Sequence, residues 1–394
     1  MLQCTPFYSL TMQTIGLLLP RSTFYTGLSF DIFEGARASL KQLKHENTRV
    51  VTENIGFGTD KQMCYQAAEQ LIMHENATVV LAYIGHRMAQ VLRPLFQASN
   101  RLLIVLDAGA NAPHEWPETP NIIYHSLHNA LGAWLAAKRA ANDGFSEGGM
   151  VTGYYDGGYL QTWGLANGFN KAGGNITFNH ATGYNKDDFS MLSLKNHAEK
   201  YPKGAFLSIF SGDYVQWYFQ GLKEVFGKDH LPVYFPPFAF EETMLKNAAH
   251  PGGIIKGIAA WSYQLDNASN KVFVESMEST GRTPNLFSLL GWEGAIIGAY
   301  ASELMMEFKN NVTSVADILN DFSFEGPRGK VYFHAQTRHT LAPMYETSIV
   351  DDGKEGCRVV IEKTMDKTIN DFEQFIAIPM ENAISGWYNS YTCI

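Results

Sequence analysis

Short apolar runs alternate with amphipathic stretches through the first two thirds of the chain. Runs at 14–20, 48–54, 77–85 and 101–109 are rich in Leu, Ile and Val, and the first three are each followed by apolar residues at helical spacing. A strand buried on both faces reads as a continuous apolar run, and a helical crossover between two such strands makes them parallel. The pattern therefore predicts an α/β fold built on parallel sheets.

The same alternation begins again after residues 121–127. The predicted strands of this second set are 149–155, 175–179, 204–210, 231–237 and 253–261. A long apolar helix at 286–308 follows, and its three glycines allow close packing as it returns to the first set of strands. A chain of 394 residues is long for one core, because domains usually have about 100 to 200 residues. We therefore predict two α/β lobes.

The order of these segments predicts that the chain crosses between the lobes several times. We assign 1–124 and 262–331 to the first lobe, and 125–261 and 332–394 to the second. Several crossings that lie close together form a natural hinge. The loops after the carboxyl ends of parallel strands line a crevice, so we expect the functional site between the lobes.

Composition and motifs exclude several functional classes. The 30 Lys and Arg residues against 39 Asp and Glu residues give a net charge of -9, which argues against nucleic acid as a partner. No uninterrupted apolar stretch of about 18 residues is present, so we predict no membrane span. The motifs G-x-S-x-G, H-E-x-x-H and G-x-x-x-x-G-K-[ST] are absent, and we predict neither catalysis nor a cofactor nor a bound metal.

The four cysteines lie far apart and form no C-x-x-C pair, which argues against a zinc site. Cys357 and Cys393 both fall near the end of the sequence, where a disulfide between them and two unpaired thiols are both compatible with the pattern. Cys4 is compatible with a lipid-bearing cysteine or with a thiol of no special role. Cys64 has no assigned role.

Three stretches carry a resemblance to a known family. They are VVLAYIGHRMAQVLRPLF, LLIVLDAGANAP and FEGPRGKVYFHAQTRHTLAPMYETSIVDDG, and the last is the most specific because it contains Gly-Pro-x-Gly-x-Val and a closing Asp-Gly. In these stretches the chain resembles the branched-chain amino-acid binding proteins of ABC transporters. The resemblance runs almost end to end. It implies the type I periplasmic-binding-protein fold, in which two Rossmann-like lobes joined by three crossovers hold a ligand in the cleft between them.

The resemblance also implies a function and a location. A protein of this family captures a small organic ligand, such as an amino acid, an amide or an aromatic compound, and delivers it to an ABC transporter permease. It works in the periplasm or elsewhere outside the cytoplasm, so we expect that a signal peptide has been removed from this sequence. The alternative is a cytoplasmic ligand sensor of the amide-responsive type, which uses the same pair of lobes.

The family places its ligand contacts in the loops that follow the strands. The residues implied in the first lobe are Phe24, Tyr25, His86, Arg87, Ala89, Gln90, Gly109 and Ala110. The residues implied in the second lobe are Tyr159, Asp213, Tyr214 and Phe238. Tyr25 is preferred over Phe24, and Tyr159 matches the family's ligand-covering aromatic residue. The choice between Asp213 and Tyr214 depends on a shift of one residue in the alignment and stays open.

The sequence departs from the family where the ligand carboxylate and ammonium would bind. The small hydroxyl residues after the third strand are missing, which leaves Arg87 or the N–H groups of Ala89 and Gln90 as replacements. Phe238 stands where amino-acid binders often carry an acidic residue. Because a buried, unpaired ammonium costs several kcal/mol, we predict an aromatic or amide-like ligand rather than an aliphatic amino acid.

Several of these positions have an ordinary structural alternative. His86 and Arg87 also fit a solvated helix start, and Phe24 and Tyr25 also fit a loop that covers its neighbouring helix. Asp107 fits either an ammonium partner or a turn cap. We assign Glu241 and Glu242 to the first turn of the next helix, where acidic side chains suit the helix dipole.

Overall fold

The first sheet begins with five parallel strands joined through helices. The computed structural model describes residues 12–112, 119–246, 248–354, 356–380 and 387–392. The first elements are β1 (Gln13–Leu19), α1 (Leu28–Gln42), β2 (Thr48–Asn54), α2 (Lys61–Glu69), β3 (Val79–Tyr83), α3 (His86–Ser99), β4 (Leu102–Asp107) and β5 (Ile122–Ser126). The strands lie in the order β5-β4-β3-β1-β2. Every residue of β3, β4 and β5 is buried, as the continuous apolar runs predict.

The second sheet repeats this arrangement. Its elements are α4 (Asn129–Asn142), β6 (Glu147–Thr152), α5 (Gln161–Lys171), β7 (Asn175–Ala181), α6 (Leu192–Lys200), β8 (Ala205–Ile209), α7 (Asp213–Phe226), β9 (Val233–Phe235), α8 (Glu242–Leu245) and β10 (Ile255–Ala259). The parallel strands lie in the order β10-β9-β8-β6-β7. We refer to each sheet with its flanking helices as a lobe.

The rest of the chain returns to both sheets. The elements are α9 (Ala268–Ser279), α10 (Leu286–Glu307), α11 (Val312–Asn320), β11 (Ser323–Gly326), β12 (Gly329–His334), β13 (His339–Leu341), β14 (Met344–Asp351), β15 (Cys357–Met365) and α12 (Thr368–Ile376). Strands β11 to β13 complete an eight-stranded first sheet, and β14 and β15 complete a seven-stranded second sheet. Helix α10 packs against α1, where the backbone oxygen of Ile32 lies so close to Gly291 that a side chain there would collide with it.

The sheets place one crossing later than the sequence predicted. The expected boundary between 331 and 332 falls inside β12, and the chain leaves the first sheet only after β13. The reason is that β12 forms a hairpin with β13, which in turn pairs in parallel with β5. Alternating hydrophobicity identifies such a hairpin but does not show which sheet it joins. How the lobes divide into moving bodies stays a prediction.

One further expectation concerns helices within the described residues, and two concern cysteines outside them. In the described ranges none of the helices combines the length and the hydropathy needed to cross a lipid bilayer. Cys4 and Cys393 lie outside these residues, so the lipid-bearing cysteine and the Cys357–Cys393 disulfide stay predictions.

Candidate functional site

Aromatic side chains from both lobes meet between the two sheets. The Phe24 ring, in the loop after β1, lies 5.7 Å from the Tyr155 ring and 5.5 Å from the Tyr214 ring, both of the second lobe. Tyr25 lies 6.3 Å from Phe238 and 4.9 Å from Phe287. These are edge or tilted arrangements, which aromatic pairs prefer. The lobes therefore contact each other directly across a cleft that is lined with aromatic rings.

A short turn orients the two aromatic residues of the first lobe. The Ser22 hydroxyl accepts the backbone N–H groups of Phe24 at 3.2 Å and of Tyr25 at 2.8 Å. Across the cleft, Gly212 has φ +55, and a side chain there would lie 2.9 Å from the Phe24 ring. Glycine therefore leaves room for Phe24 to reach the second lobe.

Tyr159 lies where the Gly-Gly turn predicts it. A turn of 3-10 helix, Asp156–Gly158, follows β6, and Tyr159 precedes α5. The side chain is 2% exposed, and its hydroxyl accepts the N–H of Tyr391 at 2.7 Å. The two tyrosine rings lie 5.1 Å apart.

The structure separates the two candidates at the start of α7. Tyr214 is buried and turned toward Phe24, and its hydroxyl donates to the carbonyl oxygen of Tyr184 at 2.8 Å. Asp213 is exposed as the first residue of the helix. Tyr214 is therefore the residue of this pair that faces the aromatic cleft. Phe238, in the 3-10 turn Pro237–Phe240, also faces the cleft and is 1% exposed.

A segment that the sequence analysis did not assign to the site lies in this cleft. We call residues 387–392, WYNSYT, the inserted segment. Its Tyr391 is fully buried and stacks on Phe238 with ring centroids 4.2 Å apart and planes 14° apart. Tyr391 also lies 5.8 Å from Tyr25. The only signal in the sequence is the density of aromatic and small polar residues, which does not tell a cleft residue from a core residue.

A chain of buried polar side chains ends at the Tyr391 hydroxyl. Asn129 donates from Nδ2 to this hydroxyl at 2.5 Å and to Oε1 of Gln161 at 2.8 Å. Gln161 donates to Oδ1 of Asp156 at 3.2 Å, and the Ser211 hydroxyl lies 2.9 Å from both carboxyl oxygens. Burial raises the pKa of Asp156 to about 7, although the hydrogen bonds from Ser211 and Gln161 act to lower it. A ring hydroxyl in the cleft therefore meets a fixed hydrogen-bond donor.

Glu241 is the N-cap residue of α8, one position before the first turn in which the sequence analysis placed it, and it also joins the lobes. Its Oε1 accepts the N–H of Thr243 at 3.1 Å, and its Oε2 accepts the N–H of Leu286, at the start of α10, at 2.9 Å. Burial raises the pKa of this carboxyl. Glu242, in the first turn of α8, accepts the N–H of Tyr263 at 3.0 Å, and burial raises its pKa to about 7.

Three residues that the sequence analysis offered as first-lobe ligand contacts, His86, Ala89 and Gln90, belong to helix α3. His86 stacks on Tyr124 at 4.8 Å, and burial lowers its pKa to about 3. Ala89 is fully buried, and its N–H bonds to the carbonyl oxygen of Gly85. Gln90 lies in the second turn of α3, where the helix uses its N–H. Helix α3 begins at His86 and therefore uses the N–H groups of Ala89 and Gln90 itself, and ligand contact at these two residues stays a prediction.

The remaining first-lobe candidates lie at the surface or in the loop at the first crossing between the lobes. Arg87 is exposed, and its guanidinium lies over the Tyr388 ring at 5.9 Å from the centroid. Gly109 has φ +73 and packs directly on the backbone of His128, and its carbonyl oxygen accepts the N–H of Ala130. Ala110 is fully buried in the core, so the loop of Gly109 and Ala110 supports the first crossing between the lobes instead of facing Tyr391.

Asp107 lies at the same first crossing between the lobes. Its carboxyl lies beside the Gly109 N–H and the Ser126 hydroxyl, which act to lower its pKa, but burial is the larger effect and raises it to about 7. This is the capping alternative of the sequence analysis. Among the described residues no group of three or more His, Cys, Asp or Glu side chains is arranged to hold a metal ion.

A pocket opens beside the inserted segment. Its volume is about 350 Å³, within the range of roughly 300 to 1,000 Å³ for small-molecule sites. It is lined by Thr59, Tyr154, Tyr155, Tyr159, Tyr184, Trp387, Tyr388, Asn389 and Thr392. Four residues of the inserted segment and Tyr159 therefore line this pocket, and Tyr391 is not among its lining residues.

Comparisons with known proteins agree on the architecture. A family profile described as periplasmic binding protein matches residues 13–354. Comparison with curated protein sequences gives no match. A solute-binding protein of an ABC transporter from Rhodopseudomonas palustris BisB5, in complex with 3,4-dihydroxybenzoic acid, superposes with a TM-score of 0.72 at 15% identity, covering 90% of this chain and 97% of the other.

Two further structures are similar over most of the chain. The solute-binding protein from Rhodopseudomonas palustris HaA2, in complex with p-hydroxybenzoic acid, gives a TM-score of 0.76 at 15% identity, with 90% and 97% covered. A branched-chain amino-acid ABC transporter periplasmic ligand-binding protein from Burkholderia xenovorans LB400 gives 0.72 at 12% identity, with 95% and 99% covered. The fold class that the sequence predicts, two α/β lobes of the type I arrangement, is confirmed.

Proposed function

Because the chain belongs to the periplasmic binding protein family, we propose that it captures a small aromatic compound between its lobes outside the cytoplasm and delivers it to an ABC transporter permease. It does no chemistry on the compound. The observation that carries the proposal is the aromatic cleft, in which rings of both lobes meet beside a buried hydrogen-bond donor, Asn129. A ligand stabilises the closed arrangement only through contacts with both lobes, and this cleft offers such contacts.

The cleft chemistry supports an aromatic ligand over an aliphatic amino acid. Phe238 presents a flat apolar face, and Tyr25 and Tyr159 present ring edges and hydroxyls. The buried carboxyls of Asp156 and Glu241 are already bonded to Ser211 and to backbone N–H groups. The proteins with 3,4-dihydroxybenzoic and p-hydroxybenzoic acid bound have this fold, which supports the same ligand class here.

The role in transport is favoured over the cytoplasmic sensor. The similar structures described above are solute-binding proteins of ABC transporters, and none of those three is a regulator. Delivery to a permease and a location outside the cytoplasm follow from that role.

Calorimetry with a panel of solutes tests the proposal. The panel contains 4-hydroxybenzoate, 3,4-dihydroxybenzoate, 4-hydroxybenzamide, p-cresol, leucine and valine. We expect at least one aromatic compound to bind at one site per chain with a negative heat-capacity change, as apolar burial requires. The radius of gyration measured by small-angle scattering should be no larger for the bound protein than for the free protein. Micromolar or tighter binding of leucine or valine contradicts the ligand class, and a panel without any binder contradicts the function.

A further inference from the structure

The inserted segment joins the two lobes through its backbone and through the Trp387 indole. On the first-lobe side, the Ser22 hydroxyl donates to the carbonyl oxygen of Tyr391 at 2.7 Å, and the Tyr83 hydroxyl donates to that of Ser390 at 3.1 Å. On the second-lobe side, the N–H of Tyr391 donates to the Tyr159 hydroxyl at 2.7 Å. The indole N–H of Trp387 donates to the carbonyl oxygen of Tyr155 at 2.6 Å. A free ligand that holds the lobes together must make contacts of this kind.

The Tyr391 side chain has the surroundings of a bound ligand. Its ring stacks on Phe238 of the second lobe and meets the edge of Tyr25 of the first lobe at an interplanar angle of 89°. Its hydroxyl takes the hydrogen bond of Asn129, at the end of the chain through Gln161 to Asp156. Burial raises the pKa of Tyr391 well above its ordinary value, so the phenol is neutral.

Three glycines on separate loops make room for the segment. A side chain on Gly85 would collide with the backbone oxygen of Tyr388, and one on Gly158 would collide with the Trp387 indole. A side chain on Gly58, which has φ +71, would meet the Asn389 amide. Gly85 precedes α3 and Gly158 precedes α5, so both sides of the cleft are shaped to accept the segment.

From these contacts we propose that the inserted segment is an internal occupant of the ligand site, with the Tyr391 phenol ring at the position of the ligand's ring. The inference rests on the proposed function for the role of the site. It assigns the ligand class as a phenol with a substituent para to the hydroxyl, because Tyr391 is such a phenol. A free ligand binds by displacing the segment, and the protein holds the cleft closed until a phenol competes for it.

Displacement lowers the apparent affinity of any free ligand. When a binding-competent state is populated for a fraction f of the time, the apparent dissociation constant is the intrinsic one divided by f. A segment that fills the cleft for about nine tenths of the time or more therefore weakens binding by about tenfold or more. Removing the Tyr391 ring should restore that affinity.

The experiment uses p-cresol, which is the tyrosine side chain as a free molecule. Calorimetry compares the full chain with its Tyr391→Ala variant, and the matched control is Tyr201→Ala. Tyr201 lies outside the inserted segment, and its ring packs on His197. We expect p-cresol to bind Tyr391→Ala at least tenfold more tightly than it binds the wild type or Tyr201→Ala.

Hydrogen exchange of the wild-type chain gives a second measurement that needs no variant to fold. Saturating p-cresol should accelerate exchange in peptides covering 387–392 while peptides from β8 keep their protection. Unchanged exchange in the segment at saturation overturns the proposal, because the phenol then binds elsewhere, for example in the neighbouring pocket.

The outcomes separate this inference from the proposed function. Equal p-cresol affinity in all three proteins overturns the internal occupant but leaves solute binding intact. Absence of p-cresol binding from all three also overturns it. A third outcome is that Tyr391→Ala binds p-cresol at least tenfold more tightly than the wild type does, but that no solute of the panel binds the wild type measurably. This outcome supports the proposed position of the ligand's ring and contradicts the proposed transport function.

Discussion

The two sides of the cleft are built in different ways. On the first-lobe side, Tyr124 of β5 stacks between His86, at the start of α3, at 4.8 Å and His339 of β13 at 4.4 Å. Behind it, Glu293 lies buried between His125 at 3.2 Å and Arg328 at 2.8 Å. On the second-lobe side, the corresponding loops turn aromatic rings and the Asp156 chain into the cleft.

This difference indicates that the two lobes have different roles in stability and in ligand binding. The first lobe fixes its loops with buried ionisable side chains, and only Phe24 and Tyr25 among its predicted site residues reach the aromatic cleft. The second lobe supplies a stacking face, a covering tyrosine and a hydrogen-bond donor. Substitutions should therefore affect stability on the first side and affinity on the second.

The largest expected effect is on stability, from Glu293→Ala. Burial acts to raise the pKa of Glu293, but Arg328 and His125 lower it, so the carboxylate is charged and paired. Removing one partner leaves Arg328, 2% exposed, as an uncompensated buried cation. We expect the free energy of unfolding to fall by about 3 to 5 kcal/mol, measured by thermal and urea unfolding.

The control for this substitution is Asp266→Ala, which removes an exposed ion pair with Lys271 at 2.6 Å. Solvent screens such a pair, so we expect no measurable change. The comparison fails if Glu293→Ala unfolds like the wild type, or if the folded variant loses affinity for an aromatic solute.

The next effect is on affinity, from Tyr159→Ala. Its ring faces Tyr391 and the neighbouring pocket, so its loss should weaken binding of p-cresol by about 1.5 to 4 kcal/mol, the range for a buried aromatic contact. Because Tyr159 also holds the N–H of Tyr391, the measurement is made by calorimetry in Tyr391→Ala protein, so that release of the segment does not offset the loss.

Tyr201→Ala is the control, since the Tyr201 ring packs on His197 away from the cleft. An unchanged dissociation constant for Tyr159→Ala together with a lower thermal midpoint would move Tyr159 from the ligand site to the core of its lobe. That result would also remove the main support for placing the ligand contacts on the second-lobe side.

A smaller effect is the pH dependence of folding stability that two buried carboxyls cause, Asp107 in the first lobe and Asp156 in the second. Burial raises the pKa of Asp156 and of Asp107 to about 7, whereas in the unfolded chain each ionises near pH 4. Below that pH both states carry the proton. As pH rises from about 4 to about 7, the unfolded state ionises first, so folding stability falls and then stays lower.

Asp156→Asn cannot ionise and should therefore be more stable than the wild type at pH 8 but not at pH 4. We expect a gain of about 1 to 2 kcal/mol at pH 8, because Asn removes the buried charge but also one hydrogen-bond acceptor. Asp107→Asn should show the same sign in thermal unfolding between pH 4 and 8. A wild-type stability that rises across this range, with no gain in either variant, would contradict both assignments.

Much of the fold could be predicted because local patterns determine it. The apolar runs predicted most of the parallel strands of both sheets, and the Gly-Gly turn placed Tyr159 correctly at the start of α5. Helix α12 and strand β15 were missed, since α12 has only nine residues and those of β15 are mostly exposed or half-buried. The expected boundary between 331 and 332 falls inside β12, because the pairing of this strand is long-range and local patterns do not show it.

The site was harder to predict than the fold. Whether a residue after a strand faces the cleft depends on where the following helix starts and on which way that helix turns its side chains. Helix α3 begins at His86 and uses the N–H of Ala89, whereas a 3-10 turn delays α5 until Gln161 and leaves Tyr159 ahead of the helix. Tyr214 faces Phe24 from within the first turn of α7. Tyr391 could not be found, because its position depends on contacts with residues more than 200 positions away, such as Asn129.

The smallest expected effect is that of Arg87→Ala, on the side where we expect no charged ligand contact. The resemblance offered Arg87 as a replacement for the missing carboxylate-binding hydroxyls, but its guanidinium lies over Tyr388 instead of among the cleft rings. An exposed cation–π contact contributes about 0.5 to 1 kcal/mol. We therefore expect Arg87→Ala to change the affinity for 4-hydroxybenzoate by less than about fivefold, since about 1.4 kcal/mol corresponds to tenfold.

The matched probe is 4-hydroxybenzamide, which keeps the ring and the hydroxyl but carries no charge. If Arg87 turned to bind a carboxylate, the variant would lose affinity for the benzoate by tenfold or more and keep its affinity for the benzamide. That result would give the first-lobe side a ligand contact of its own. An equal, small change in affinity for both probes would support recognition of the ligand by the second lobe.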